Sequence, residues 1–120
     1  MEIANAHLTD KGYILLEFLQ ENVTLSKNEV VYGWELVRGI DPLKKYPVFL
    51  KTAKWSLIDK EARIFVISEI RSRPSVAILV HNLGQKLMGN FAVKLTGNSK
   101  NIRIFESESE AISWLVKKTK

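Results

Sequence analysis

The start of the chain alternates apolar and polar positions over two short segments. Residues 3–9 and 13–19 are strand-like, and Asp10-Lys11-Gly12 lies between them. Glycine readily adopts the positive φ that a tight turn needs, so this arrangement is typical of a hairpin. The pattern predicts two antiparallel strands.

The next segment has the apolar spacing of an amphipathic helix. Ser26 lies three residues before Glu29, which is the spacing of a capping box. Gly39 and Pro42 are typical of a helix end. Four residues are predicted to lie on one side of this helix, and the apolar ones among them are expected to face inward. They are Val30, Trp34, Val37 and Asp41.

A buried strand and a second helix are predicted next. Residues 47–50 form a short apolar run bounded by turn residues, as a buried strand does. Ser56, three residues before Asp59, is predicted to cap the helix, and Pro74 prevents its continuation. The core face of the helix is predicted at Ala62, Phe65, Val66 and Ile70.

The last third of the chain repeats this order of strand and helix. Residues 76–80 are almost continuously apolar, as a central strand buried on both faces must be. Asn82 is the predicted cap of a third helix, residues 96–99 a turn, residues 102–105 a fifth strand, and Ser107 the start of a capped final helix. The third helix carries Leu83, Leu87, Met88, Phe91 and Leu95.

Together these elements predict a single α/β domain over residues 1–120 with the order ββαβαβαβα. Strands separated by helices form right-handed crossovers, so the sheet is expected to be mixed and mostly parallel, with five strands and an antiparallel hairpin at one edge. Residues 76–80 are expected to have neighbours on both sides. Phe65, Ile78 and Leu115 are predicted to be fully buried.

The composition of the chain indicates the kind of chemistry it can carry and the cell compartment we expect for it. The chain has 120 residues, 46% of them hydrophobic, and no cysteine, which excludes disulfides and thiolate chemistry. Its apolar runs are too short to span a membrane, and its first residues do not resemble a signal segment. We therefore expect a cytoplasmic protein.

The formal charge of +5 is unevenly distributed. Residues 42–105 carry twelve basic and three acidic side chains. This bias fits a surface for nucleic acid, anionic lipid or an acidic protein, and it equally fits scattered solvated positions. No more than two basic residues are adjacent and no aromatic interleaving resembles a nucleic-acid-binding motif, which argues against nucleic acid.

The sequence contains no recognisable catalytic, metal or cofactor motif. The segment 97–100 lacks the first glycine and the strand-to-helix context of a P-loop, and no serine has the glycine-flanked elbow of a nucleophile. His7 and His81 are far apart, with no carboxylate at helical spacing. We therefore predict no catalytic residue, no metal and no cofactor.

Two positions allow both a structural and a functional interpretation. His81 and Asn82 follow the predicted central strand, at the end where open α/β sheets bind ligands, but they also fit a loop histidine beside a helix cap. Trp55 follows the third strand and either contacts a partner or closes the core. Trp34 and Trp114 lie among apolar residues and are predicted to be core.

The order of elements and several apolar pairs resemble a known family. The segments 49–50, 56–59, 91–95, 104–105, 110–111 and 114–115 carry the resemblance, which is to the SpoIIAA-like branch of STAS domains. These domains are related to anti-sigma-factor antagonists and share a sheet topology with lipid-exchange domains of the SEC14 type. The resemblance implies a bacterial regulatory protein.

This chain departs from the phospho-switched members of that family. They carry an aspartate in the third main strand and serines just after an Ile-Asp pair. Here Lys51 falls at the aspartate position, Ile58-Asp59 is kept, and Lys60 and Glu61 stand where the serines would be. The resemblance therefore implies a partner-binding surface without the phosphoacceptor.

The favoured hypothesis is a non-enzymatic regulatory or protein-interaction module, and a homodimer is compatible with it. The alternative is a protein that binds a small apolar or anionic, lipid-like ligand or a membrane surface, with His81 and Asn82 as ligand-binding residues; an enzyme is a third class. A lipid carrier needs a cavity of several hundred cubic ångströms, so cavity volume separates the first two. The predicted partner-binding residues are Thr52, Lys54, Trp55, Asp59, Lys60 and Arg63.

Overall fold

A computed structural model describes residues 2–97 and 100–118 and confirms the predicted α/β architecture. The element order contains the predicted ββαβαβαβα, with two additional strands of two residues each. The elements are β1 (Ala4–Leu8), β2 (Ile14–Phe18), β3 (Thr24–Leu25), α1 (Lys27–Ile40), β4 (Val48–Lys51), β5 (Leu57–Ile58), α2 (Lys60–Arg71), β6 (Val76–Leu79), α3 (Leu83–Thr96), β7 (Ile102–Phe105) and α4 (Glu108–Lys118).

The main sheet has five strands in the order β1-β2-β4-β6-β7. β1 pairs antiparallel with β2, with Ala4 opposite Phe18, and the remaining pairs are parallel. The predicted edge hairpin is therefore confirmed, as is the interior position of β6, which pairs with both β4 and β7. β3 and β5 form a separate parallel pair beside the main sheet.

The two faces of the sheet are covered unequally. Successive strand residues point to opposite faces, so Val48 and Leu50 enter one core and Phe49 enters the other. Helices α1, α2 and α3 pack on the first face, whereas α4 covers the second through Ala111 and Leu115.

The start of α1 follows the prediction and the start of α2 does not. Ser26 and Glu29 form the predicted capping box. α2 is capped by Asp59, whose carboxylate accepts from the Ala62 amide at 2.8 Å, so the prediction of Ser56 as cap is wrong. Ser56 is buried and its hydroxyl donates to the carbonyl of Gln20. The intervening β5 pairs with β3, which keeps the backbone extended until residue 58.

The predicted core is confirmed except at its margins. Ile78 and Leu115 are buried, and Trp34 is fully enclosed. Phe65 is only partly buried, so its predicted full burial is wrong: its ring packs on the edge of the first core and the Arg38 guanidinium lies 6.0 Å from its centre. Trp114 is also partly buried, with its ring 5.7 Å from that of Phe105.

The predicted turn at residues 96–99 contains Gly97 in the left-handed conformation, and Asn98 and Ser99 lie outside the described residues.

A buried cluster of charges lies at the amino end of the parallel strands. Asp41 accepts from Arg73 Nη1 at 2.7 Å and from the Lys45 and Tyr46 amides. Burial alone would raise the pKa of Asp41, but these hydrogen bonds and the guanidinium outweigh it and hold the pKa below its usual value. A second pair joins Arg38 of α1 to the buried Glu69 of α2.

Candidate interaction surface

A buried glutamine fixes the loop after β4 to the start of α3. The Gln85 side-chain nitrogen donates to the carbonyls of Ala53 at 3.0 Å and Ser56 at 2.8 Å. Its side-chain oxygen accepts from the His81 amide at 2.8 Å. Both donors of the amide are thus used, and the loop at residues 52–56 is held at the carboxyl ends of β4 and β6.

The two residues predicted to bind a ligand lie beside this clamp. His81 is exposed, and its Nε2 lies 2.7 Å from the Thr52 carbonyl, to which it must donate because a carbonyl only accepts. Asn82 is the cap of α3 as predicted, and its side-chain oxygen accepts from the Gln85 amide at 2.9 Å. Both side chains also border an open groove with Lys86 and Glu106. Their ligand-binding role stays a prediction.

Trp55 lies outside both cores. Its side chain is 64% exposed, and its backbone has φ of 62°, in the left-handed region that bulky residues rarely adopt. Of the two interpretations of Trp55, the arrangement excludes closure of the core. An exposed indole is available to a partner.

The other predicted partner-binding residues divide by role. Asp59 is occupied as the α2 cap, whereas Lys54 and Lys60 are exposed. Thr52 is half-buried, and so is Arg63, whose Nη1 lies 3.4 Å from the Ile58 carbonyl and 3.8 Å from the Met88 sulfur. The structure thus brings the loop after β4, the start of α2 and the middle of α3 to one side of the molecule.

The largest feature of this side was not predicted from the sequence. α3 directs a row of large apolar side chains to solvent, and we call it the apolar ridge: Leu83, Leu87, Phe91 and Leu95. They follow one another at four-residue spacing, so they lie along one side of the helix. The inward side is formed instead by smaller or flexible residues such as Met88, Gly89 and Ala92. A Cβ on Gly89 would lie 2.8 Å from Ile104 Cδ1, so this glycine allows α3 to approach β7 closely.

A small apolar pocket opens between α2 and α3. Its volume is about 90 Å³, and its walls include Leu50, Val66, Ile78 and Ala92. Among the described residues that line it, Arg63 alone is formally charged, and Leu57, another of them, is exposed. The pocket can hold one apolar side chain or a ligand of similar size.

Basic residues surround the ridge, and most have no ionic partner. Within residues 2–97 and 100–118, no carboxylate lies within 4.0 Å of the following five, which we call the cationic rim: Lys54, Lys60, Arg63, Arg71 and Lys94. Lys86 of α3, beside the ridge, is paired with Glu106 at 2.6 Å, whereas exposed cations away from the ridge, such as Lys11 and Lys45, also have no carboxylate within 4.0 Å among the described residues. The rim is therefore a source of unneutralised positive potential.

The positions at which the sequence departs from phospho-switched STAS domains have different surroundings here. Lys51 lies 2.8 Å from Glu108 and 3.8 Å from Glu17, and its hydrogen bond to Glu108 raises its pKa. Lys60 and Glu61 are exposed at the start of α2. The nearby Ser56 hydroxyl is buried and hydrogen-bonded, so a kinase could not reach it without opening the loop.

The described part of the chain offers no metal centre and no membrane span. In residues 2–97 and 100–118, no three His, Cys, Asp or Glu side chains are grouped so that they could hold a metal ion. Over the same residues, none of the helices has the length and apolarity needed to cross a bilayer.

Comparison with known proteins gives a fold and a family. An uncharacterized protein of the DUF3478 family from Shewanella loihica PV-4, described as having a SpoIIAA-like fold, superposes with a TM-score of 0.65 at 15% identity, over 93% of this chain and 91% of that one. The SpoIIAA-like fold is therefore confirmed. A search of curated proteins finds no match. A family model, described as a domain of unknown function, matches residues 10–119, and the chain belongs to this family, DUF7793.

Proposed function

We propose that this protein is a non-enzymatic, STAS-type interaction module that binds a protein partner. The binding surface, here called the docking surface, consists of residues 52–64, the apolar ridge of α3 and the cationic rim. This assignment combines the predicted Thr52–Arg63 region with the neighbouring helix face that the structure adds.

One observation carries the proposal: large exposed hydrophobic side chains are concentrated on this side. Thirteen large hydrophobic residues are exposed among the described residues. Seven of them belong to the docking surface: Trp55, Leu57, Ile64, Leu83, Leu87, Phe91 and Leu95. Isolated exposed apolar residues need no explanation, but a contiguous group rimmed by polar residues is typical of a protein-binding surface.

The composition of the surface supports constitutive binding. Lys60 and Glu61 occupy the positions of the switching serines and carry no hydroxyl that a kinase could modify. Ser56 is enclosed by the loop that Gln85 holds. Binding is therefore controlled by the presence of the partner and not by phosphorylation at this junction.

The size of the pocket favours this function over lipid carriage. Pockets for small molecules usually measure roughly 300–1,000 Å³. The pocket between α2 and α3 measures about 90 Å³, which is too small to enclose an acyl chain, and the two larger grooves, of about 610 and 370 Å³, are open and lined in part by charged side chains such as Lys86 and Glu106. A lipid-exchange role would require α2 and α3 to separate.

Photo-crosslinking in cells tests the proposal. A photoreactive residue at position 87 is expected to give a defined crosslinked product, which the Trp55→Ala/Lys60→Ala variant loses. Leu43→Ala/Lys45→Ala is the matched control, because Leu43 is 72% exposed, Lys45 is exposed, and both lie near the other end of the sheet. Equal crosslinking by wild type and Trp55→Ala/Lys60→Ala would contradict the proposed surface.

A further inference from the structure

α2 and α3 form the walls of a shallow groove. Arg63 of α2 contacts the Met88 sulfur of α3, and Arg71 of α2 donates to the Leu95 carbonyl of α3 at 2.9 Å. The two arginines lie eight positions apart and their partners seven, so the helices run side by side in the same direction for roughly 10–12 Å at 1.5 Å per residue. That length corresponds to two helical turns.

Apolar side chains line both borders of this groove. Ile64 directly follows Arg63, the α2 residue that contacts Met88 of α3. Phe91 and Leu95 form the opposite border, and Leu87 extends it by one turn. Ile64 is 61% exposed, so no element of the described chain covers this side chain.

The pocket of about 90 Å³ lies beneath this surface, between the same two helices. Its volume and apolar lining fit one apolar side chain inserted from a partner, as aromatic or aliphatic anchors are at many interfaces. A membrane surface has no protruding anchor of this kind, so the concave pocket favours a protein ligand.

The charges of the groove select the partner. Lys60, Arg63 and Arg71 lie on α2 and Lys94 lies on α3, and these have no carboxylate partner among the described residues. α3 has no acidic residue. A second copy of this chain in a two-fold contact would place the cationic rim against itself, and like charges facing each other across an interface oppose association.

We propose that the docking surface binds an amphipathic helix with an acidic polar face, which lies along the α2–α3 groove and inserts one apolar anchor into the pocket. This inference rests on the proposed function and names its partner by chemistry. Helix-in-groove recognition of this kind uses apolar anchors at i, i+3 or i+4 and i+7. Glutamates beside those anchors would meet the cationic rim.

Peptide selection on the full-length protein tests this inference. The probe is a displayed library of random peptides of about 16 residues, long enough for a helix of roughly 24 Å. We expect the enriched peptides to be acidic, to repeat apolar residues at helical spacing, and to gain helicity on binding, as measured by circular dichroism of the synthetic peptides.

Matched variants test whether the peptides bind in the α2–α3 groove. Leu87→Ser/Phe91→Ser is expected to weaken binding about tenfold or more in fluorescence anisotropy, since loss of an anchor contact has effects of this size. Lys60→Glu/Lys94→Glu should weaken it similarly and reduce its salt dependence. The controls Leu43→Ser/Tyr46→Ser and Lys11→Glu/Lys45→Glu should bind within about twofold of wild type. Circular dichroism and thermal unfolding check that every variant is folded.

The possible failures are distinguishable. Enriched peptides that need Leu87 and Phe91 but are neutral, basic or extended overturn this inference and leave the proposed function intact. Absence of peptide enrichment, with ridge-dependent binding to phosphatidylserine vesicles, overturns it in favour of a membrane surface. Peptides that bind the ridge variant as tightly as wild type, together with crosslinking that Trp55→Ala/Lys60→Ala does not change, overturn both proposals.

Discussion

The two ends of the parallel sheet use charge in opposite ways. At the amino end, Asp41 and Arg73 are buried against each other at 2.7 Å, and Glu69 is buried against Arg38. At the carboxyl end, Lys54 and Lys60 of the docking surface are exposed and have no carboxylate within 4.0 Å among the described residues, and the side chains of Trp55 and Leu83 are exposed as well.

The paired charges at the amino end therefore serve the stability of the fold, and the unpaired charges at the carboxyl end serve recognition of a partner. A buried ion pair is sensitive to the loss of either partner, because the remaining charge is left in a poorly solvated site. A solvated cation contributes little to folding and remains available to a ligand. Substitutions at the amino end should therefore unfold the protein, whereas substitutions at the carboxyl end should affect binding.

Asp41→Ala is expected to have the largest effect. It removes the acceptor of Arg73 Nη1 and of two backbone amides, and Arg73 Nε and Nη2 already have no hydrogen-bond partner among the described residues. The free energy of unfolding should fall by about 3–5 kcal/mol in chemical denaturation. The control Glu35→Ala removes an exposed carboxylate from α1, the helix that ends just before Asp41, and should change the free energy of unfolding by less than about 0.5 kcal/mol. A loss below about 1 kcal/mol at Asp41 would show that water replaces the contact.

The same pair gives the protein a dependence on acid pH. The pKa of Asp41 is lower in the folded protein than its usual value, so the unfolded state binds more protons as the pH falls. The stabilisation is present above the unfolded pKa of about 4 and is lost as the pH falls toward the folded value. Asp41→Asn should be less stable at neutral pH and should show a shallower decrease of the unfolding free energy below about pH 4. Equal acid slopes for the two proteins would contradict this assignment.

Gln85→Ala tests the link between the sheet end and the docking surface. It leaves two carbonyls and one amide without their partner, and each buried unpaired group is unfavourable by about 1–3 kcal/mol. Because the loop can admit water, we expect a loss of about 2–3 kcal/mol and faster hydrogen exchange at the His81 amide. Asn90→Ala, at an exposed position of the same helix, should change neither quantity appreciably. Unchanged exchange at His81 would show that other contacts hold the loop.

Phe65→Ala tests how far the side chain of Phe65 belongs to the core. Truncation of a fully buried phenylalanine is unfavourable by about 3–5 kcal/mol, and Phe65 is only partly buried. We expect about half of that loss, ~2 kcal/mol, in chemical denaturation. Ile64→Ala, at the neighbouring exposed position, should lose less than about 1 kcal/mol. A loss above about 3 kcal/mol would place Phe65 in the core, as the sequence predicts.

Local signals in the sequence were sufficient for most of the fold. The hairpin, the capping box at Ser26 and the interior strand β6 follow from turn residues, cap spacing and an uninterrupted apolar run. The α2 cap was mispredicted because Ser56 and Asp59 both suit a cap. A distant contact, the Ser56 hydroxyl with the Gln20 carbonyl, decides between them.

The docking surface could be predicted only in part, for the same reason. Gln85 lies three residues after Asn82, a spacing that signals capping, but its partners Ala53 and Ser56 are 32 and 29 residues away. α3 carries apolar residues on more than one side, so periodicity cannot tell which side is buried. In the structure the side that carries Gly89 packs against Ile104, and the apolar ridge is exposed.

Trp55 should show the smallest effect on stability and a large one on binding. Its side chain is 64% exposed, so Trp55→Ala should change the unfolding free energy by less than about 1 kcal/mol. The left-handed backbone at this position is unfavourable by about 1–2 kcal/mol for a residue with a Cβ, and glycine avoids that strain. Trp55→Gly should therefore be at least as stable as Trp55→Ala, the reverse of the usual order, while both lose crosslinking at position 87. A strained, exposed tryptophan that does not stabilise the fold is best explained by a contact with the partner. A loss above about 2 kcal/mol for Trp55→Ala would instead assign the indole to the core.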